Sequence, residues 1–169
     1  MNKSEKEFSE QSVNIENMSS AMGLTVEQYV NTVSGSTHSA ISEQWIANKL
    51  GGTRVIGKQL EWDVETPDRK YKKIEVRNIC KSEVSFAPST ARGKGRFFEE
   101  KTFLHKLESC DSFVFVDLRD RLMSNPKLYE ISVEEAMKLY RSGVLNKKAS
   151  VGRSKFFKIF PFEKYKLEL

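Results

Sequence analysis

The run Ser112-Phe-Val-Phe-Val-Asp-Leu118 constrains this chain more than any other stretch. A nearly unbroken apolar segment of strand length has no polar face to turn to water, so it is expected to be a central strand covered on both sides. A sheet covered on both faces needs helices on each. The flanking sequence alternates helical and strand patterns, which implies an α/β fold with a mixed central β-sheet flanked by helices. At 169 residues the chain is long enough for one domain with a real core and no disulfide staples. Eleven Phe, five Tyr and two Trp supply more aromatic surface than a disordered chain carries, so a single domain is expected over residues 23–169. Residues 1–22 offer only Phe8, Val13 and Ile15 as anchors and read as a polar tail or loose helix.

Thr25 with Gln28 forms a capping-box spacing, and Val26, Tyr29, Val30 and Val33 then recur at helical intervals before Gly35. A second helix is predicted from about Ser39 to Leu50, through Ile41, Trp45 and Ile46, stopped by Gly51 and Gly52. Three short β-rich runs follow: Thr53 to Ile56, Leu60 to Glu65 and Tyr71 to Cys80, the last two separated by a turn at Thr66-Pro67-Asp68. Residues 85–97 read as an irregular basic loop, and a helix is expected from Phe97 to Leu107. Ser132 with Glu135 opens another helix that ends near Ser142-Gly143. In the basic, aromatic tail an edge strand is expected near Phe156 to Phe160, with Phe156 and Phe157 read as core.

Several classes are disfavoured. Cys80 and Cys110 are far apart and lack a CxxC or clustered His, so zinc chelation and a disulfide framework have no support, and both thiols are expected in or near the core. The N-terminus has no apolar h-region and no stretch approaches the roughly 18 apolar residues of a membrane helix, so a cytoplasmic location is expected. His38 and His105 are isolated, which leaves a hydrolytic triad unsupported. A net charge of +5 fits a solvated basic surface as well as a polyanion partner.

The chemistry concentrates in carboxylates. Glu43 stands three, four and seven residues before Ile46, Ala47 and Leu50, on an apolar helix face where an acid needs a partner. Asp63 precedes Glu75 by twelve residues across a hairpin, so adjacent strands can bring the two together on one face. Along the second strand Ile74 and Val76 share one face while Glu75 and Arg77 share the other. Asp68 competes for the aspartate role but lies only seven positions before Glu75, with a turn between; Glu65 is an auxiliary candidate on the face of Asp63. Converging carboxylates suit a hard cation such as Mg²⁺.

The order of a helix with Glu43, strands with Asp63 and then Glu75-Val76-Arg77, a helix at 97–107 and a strand at 112–118 resembles the PD-(D/E)XK, or restriction-endonuclease-like, nuclease core. The resemblance covers roughly residues 39–118. It implies Mg²⁺-dependent hydrolysis of DNA phosphodiester bonds, with Mn²⁺ able to substitute. Asp63, Glu75 and Glu43 match the metal-binding acids, and Arg77 occupies the position where the family usually has lysine. Arginine keeps its charge but, with a pKa above about 12, is excluded as a general base. The alternative is therefore a degenerate module that binds nucleic acid or a protein partner without cutting. Ser89 to Arg96, with Arg92, Lys94 and Arg96 among glycines, fits phosphate contact or a solvated loop; Lys70 and Lys72 are further candidate nucleic-acid contacts. A homodimer is compatible with cutting two strands. DNA and RNA, and the pathway served, stay undistinguished.

Overall fold

The computed structural model describes residues 16–17, 20, 23, 25–26, 35–56, 62–87, 98–119 and 126–169, with backbone alone at 35–38. Most of the helix expected after Thr25, residues 60–61 of the second expected strand with the 57–59 connection before it, and the basic loop residues 88–97 lie outside the described residues. The first described helix of any length, α1 (Gly35–Lys49), begins earlier than the sequence pattern suggested and stops where expected. Its end is a Schellman closure: Gly51 takes φ +62° and donates to Asn48 O, while Gly52 N donates to Ala47 O at 2.9 Å. Gly52 is needed for a second reason. A Cβ there would lie 2.4 Å from Glu65 O and 2.6 Å from Thr66 Cγ2, so the helix end sits directly on the following hairpin.

That hairpin consists of β1 (Thr53–Arg54) and β2 (Val64–Glu65), leading to β3 (Lys73–Ile79). The described parts of β1 and β2 are shorter than expected. After β3 comes β4 (Glu83–Ser85), unforeseen in the sequence, then α2 (Glu100–Ser109) and the central strand β5 (Ser112–Asp117). Next are β6 (Leu128–Ser132), α3 (Val133–Arg141), β7 (Ser150–Gly152), α4 (Arg153–Ile159) and α5 (Phe162–Tyr165). Ser132 closes β6 and also caps α3, accepting from Glu135 N at 3.2 Å, as the capping box implied.

The main sheet runs β1-β2-β3-β5-β6, and β4 pairs with β7 in a separate ribbon. Only β3 and β5 are parallel, in register from Ile74↔Ser112 to Ile79↔Asp117; the other pairs are antiparallel. Every residue of β5 is buried, so the sheet is mixed and covered on both sides, as the sequence implied. Val114 and Val116 join Trp45, Ile46 and Ala47 of α1, Val64, Ile74 and Val76 on one face. Phe113 and Phe115 join Phe103 and Leu107 of α2, Ile79, Phe86, Phe156 and Phe160 on the other.

Two expectations are corrected. Residues 156–160 are not an edge strand but belong to α4 and its C-cap: Phe156 and Phe160 are both fully buried, four residues apart, and Phe160 N donates to Phe156 O at 2.8 Å. Short apolar runs do not discriminate strand from helix, and here the i, i+4 pair faces the core. Cys80 is exposed rather than near-core, because β3 has just ended with Ile79 pointing inward; Cys110 is buried as expected. No helix among the described residues is long and apolar enough to cross a membrane. Replacing Gly52 by Ala should force α1 away from the Glu65 carbonyl and lower stability by about 2 kcal/mol, checked by urea denaturation; an unchanged midpoint would show that the close seat is not structural.

Candidate functional site: a carboxylate and cation cluster where two strands part

β2 and β3 pair through Val64↔Ile74 and Glu65↔Lys73. One residue before Val64, Asp63 leaves that regular pairing. The backbone of Asp63 is gripped from both sides, its N–H donating to Ile74 O (2.9 Å) and its carbonyl accepting from Val55 N (2.8 Å). Its carboxylate then takes over from the ladder, with Oδ2 accepting from Val76 N at 2.8 Å. Oδ1 bonds no described residue. Asp63 is thereby fixed at the fork where the described part of β2 ends.

Glu75 projects toward the α2 side of the sheet and is only 3% exposed. An isolated carboxylate cannot be buried so deeply without compensation. Two cations provide it: Arg77 Nη2 lies 2.6 Å from Oε1, and Lys106 Nζ of α2 stands against Oε2. The shared face of Glu75 and Arg77 is what strand alternation requires. Even so, burial pushes the Glu75 carboxyl up to about 7, with Asp63 adding to the rise while Arg77 and Lys106 oppose it. The contacts are close but badly aligned, since Glu75 Oε2 and Arg77 Nε and Nη2 are buried without a directed hydrogen bond.

Glu43 of α1 belongs to the same electrostatic neighbourhood. Its Oε2 accepts from Arg54 Nε of β1 at 2.9 Å. Burial raises its carboxyl, Asp63 raises it further, and Arg54 and Arg77 pull it down. The reading that an acid on the apolar face of this helix has a partner is thus met by an arginine eleven residues away. Three carboxylates, Glu43, Asp63 and Glu75, are matched by three cations, Arg54, Arg77 and Lys106. Among the described residues no group of three His, Cys, Asp or Glu stands close enough to hold a metal ion.

The donor chemistry of a smaller site does suit Mg²⁺, which needs only one or two carboxylates besides water and phosphate. Asp63 Oδ1 is a hard oxygen that bonds no described residue, whereas Glu75 Oε2 has the Lys106 ammonium against it, which a bound ion would have to displace.

Lys106 and Arg54 were not singled out from sequence. Lys106 had a signal: it lies between Phe103 and Leu107 and one turn before Cys110, so it shares the buried face of α2. Arg54 had none, because its partner lies on another element. Cys110 Sγ donates to Lys106 O, and burial pushes its thiol up to about 12.

The other candidates do not join the cluster. Glu65 and Asp68 are exposed, as is His105, while the His38 side chain is outside the described residues. Lys70 is exposed, with Nζ 4.8 Å from the Tyr71 ring centroid, and Lys72 is exposed. Lys70 lines a separate mixed-charge groove with Arg69, Glu130 and Lys164. Arg92, Lys94 and Arg96 lie outside the described residues.

A carboxyl raised from 4.5 to about 7 by folding holds its proton longer in the native than in the unfolded chain. Stability from this group is therefore fully present below about pH 4.5 and lost as pH rises through about 7, a change of up to about 3 kcal/mol. Urea midpoints in EDTA should fall across that window in the wild type and change less in Glu75→Gln. Parallel curves would show that Glu75 titrates normally. Comparison with models of known families, with curated proteins and with solved structures finds no match to this chain.

Proposed function

We propose that this domain is a Mg²⁺-dependent DNA endonuclease of the PD-(D/E)XK, restriction-endonuclease-like, kind. The observation that carries the reading is the fork between β2 and β3, where the Asp63 carboxylate is bonded to Val76 N next to buried Glu75, and Arg77 and Lys106 stand against the second carboxylate. The element order α1-β1-β2-β3-β4-α2-β5 supports it, since apart from the short β4 it follows the order on which the sequence resemblance rests. A charge cluster with a carboxyl raised by burial, beside a half-buried ammonium, is also the type of environment that active sites build.

Asp63 and Glu75 would hold the ion. When bound, Mg²⁺ would lower the pKa of a water and offset charge gathering on the phosphate. The chain's own groups do the rest. Asp63, clamped by Ile74 O, Val55 N and Val76 N, gives a fixed carboxylate with one open oxygen. Arg77 offers permanent positive charge to a non-bridging phosphate oxygen but no proton acceptor. Lys106, its ammonium held against Glu75, adds a second positive charge from the helix that covers the site. The raised Glu75 carboxyl places a group that titrates near neutrality beside that ammonium.

A second reading, a degenerate module that binds nucleic acid without cutting, draws on a different observation. Glu43 and Glu75 already have cations against them, Arg54 on the first and both Arg77 and Lys106 on the second, so these two acids are compensated without any ion.

Incubation of supercoiled and linear DNA with Mg²⁺, Mn²⁺ or EDTA separates the two. Nicking or cutting that needs the metal, falls at least about a hundredfold in Asp63→Ala and Glu75→Ala, and falls about tenfold or more in Lys106→Met is the expected result. Binding without cutting in every condition would establish the degenerate reading.

A further inference from the structure

We propose that Arg54 contacts a backbone phosphate of the nucleic acid beside the Asp63–Glu75 fork, and that Glu43 is the positioning residue that aims it rather than a metal ligand. The inference rests on the nucleic-acid reading above and departs from the role that resemblance gives Glu43.

Arg54 spends one donor, Nε, on Glu43 Oε2. Its two terminal nitrogens bond no described residue, and neither is among the buried polar atoms without a partner. The guanidinium therefore has a held edge and an outward edge. A planar fork with five donors can sit between two anions, a carboxylate behind and a phosphate in front, which a single ammonium does less well.

The pair is also built into the frame. Arg54 pairs with Val64 in the β1–β2 register, and the next residue, Val55, donates to Asp63 O, so Arg54 flanks the fork through backbone geometry. Glu43 stands on α1, whose end is seated against the Glu65 carbonyl by the Gly52 contact. The side chains are 27% and 16% exposed, more enclosed than a solvated surface pair and still open enough for a ligand to reach. Taking Glu43 as a metal ligand would strip Arg54 of its only described partner.

The test uses the full chain in EDTA, with a labelled short duplex of random sequence and anisotropy read over a range of salt. Arg54→Ala should weaken binding about tenfold and reduce the slope of log affinity against log salt by about one. Arg54→Lys, which keeps the charge, should retain the slope and lose less affinity; it also serves if the alanine variant fails to fold. Inorganic phosphate at millimolar concentration should not displace the duplex. Glu43→Ala should change duplex affinity only when Arg54 is present, and should leave Mn²⁺ binding measured without DNA within about twofold.

Unchanged duplex binding in Arg54→Ala would reduce the pair to a structural bridge and overturn the proposal. So would displacement by phosphate alone, or a tenfold loss of Mn²⁺ binding in Glu43→Ala. If Asp63→Ala and Glu75→Ala abolish cutting while Arg54→Ala binds normally, this inference fails and the nuclease reading stands. Absence of any salt-sensitive binding by the wild type would overturn both.

Discussion

Everything about the candidate site follows from burying a carboxylate in a sheet that is sealed on both faces. β3 lies beside β5, whose every residue is buried, so side chains on either face of β3 meet helices and aromatic rings instead of water. Ile74 and Val76 gain from that enclosure. Glu75 does not, and the fold compensates by drawing Arg77 from the same strand face and Lys106 from the helix that covers it. Attraction only partly offsets the desolvation, which is why the carboxyl remains raised to about 7. An apolar residue at this position would carry no such desolvation cost.

The fork between β2 and β3 has a related origin. Antiparallel pairing in the described part of β2 covers only Lys73 and Ile74, yet Val76 N still needs an acceptor, and the Asp63 carboxylate fills that place. A side chain that satisfies the backbone of the neighbouring strand is held within a narrow range of positions. The same hydrogen bond therefore closes the ladder and holds the Asp63 carboxylate against β3.

Much of this was legible in the sequence, and the reasons are physical. The continuous apolar run at 112–118 could only be a doubly covered strand, and period-two alternation put Glu75 and Arg77 together. Helical spacing put Glu43 on an apolar face, and the partner demanded by that placement exists, as Arg54. What escaped notice was set by distant chain. β4 and β7 are three residues each and stabilise one another across more than sixty positions, so neither carries a local signature. β6 passes into α3 through Ser132 without a loop, leaving no turn residues to mark it. At 156–160, Phe156 and Phe160 were assigned to a strand because a short aromatic run lacks the length to reveal its period.

The seat of α1 on the hairpin carries a further meaning. Because Gly52 carries no side chain, the chain leaving the helix sits directly against the Glu65 carbonyl and the Thr66 methyl, with little room to slide. Positions near that seam inherit main-chain stiffness rather than rotamer freedom. Side chains carried on that seam, Arg54 among them, are then placed when the chain folds and need little rearrangement to hold their position.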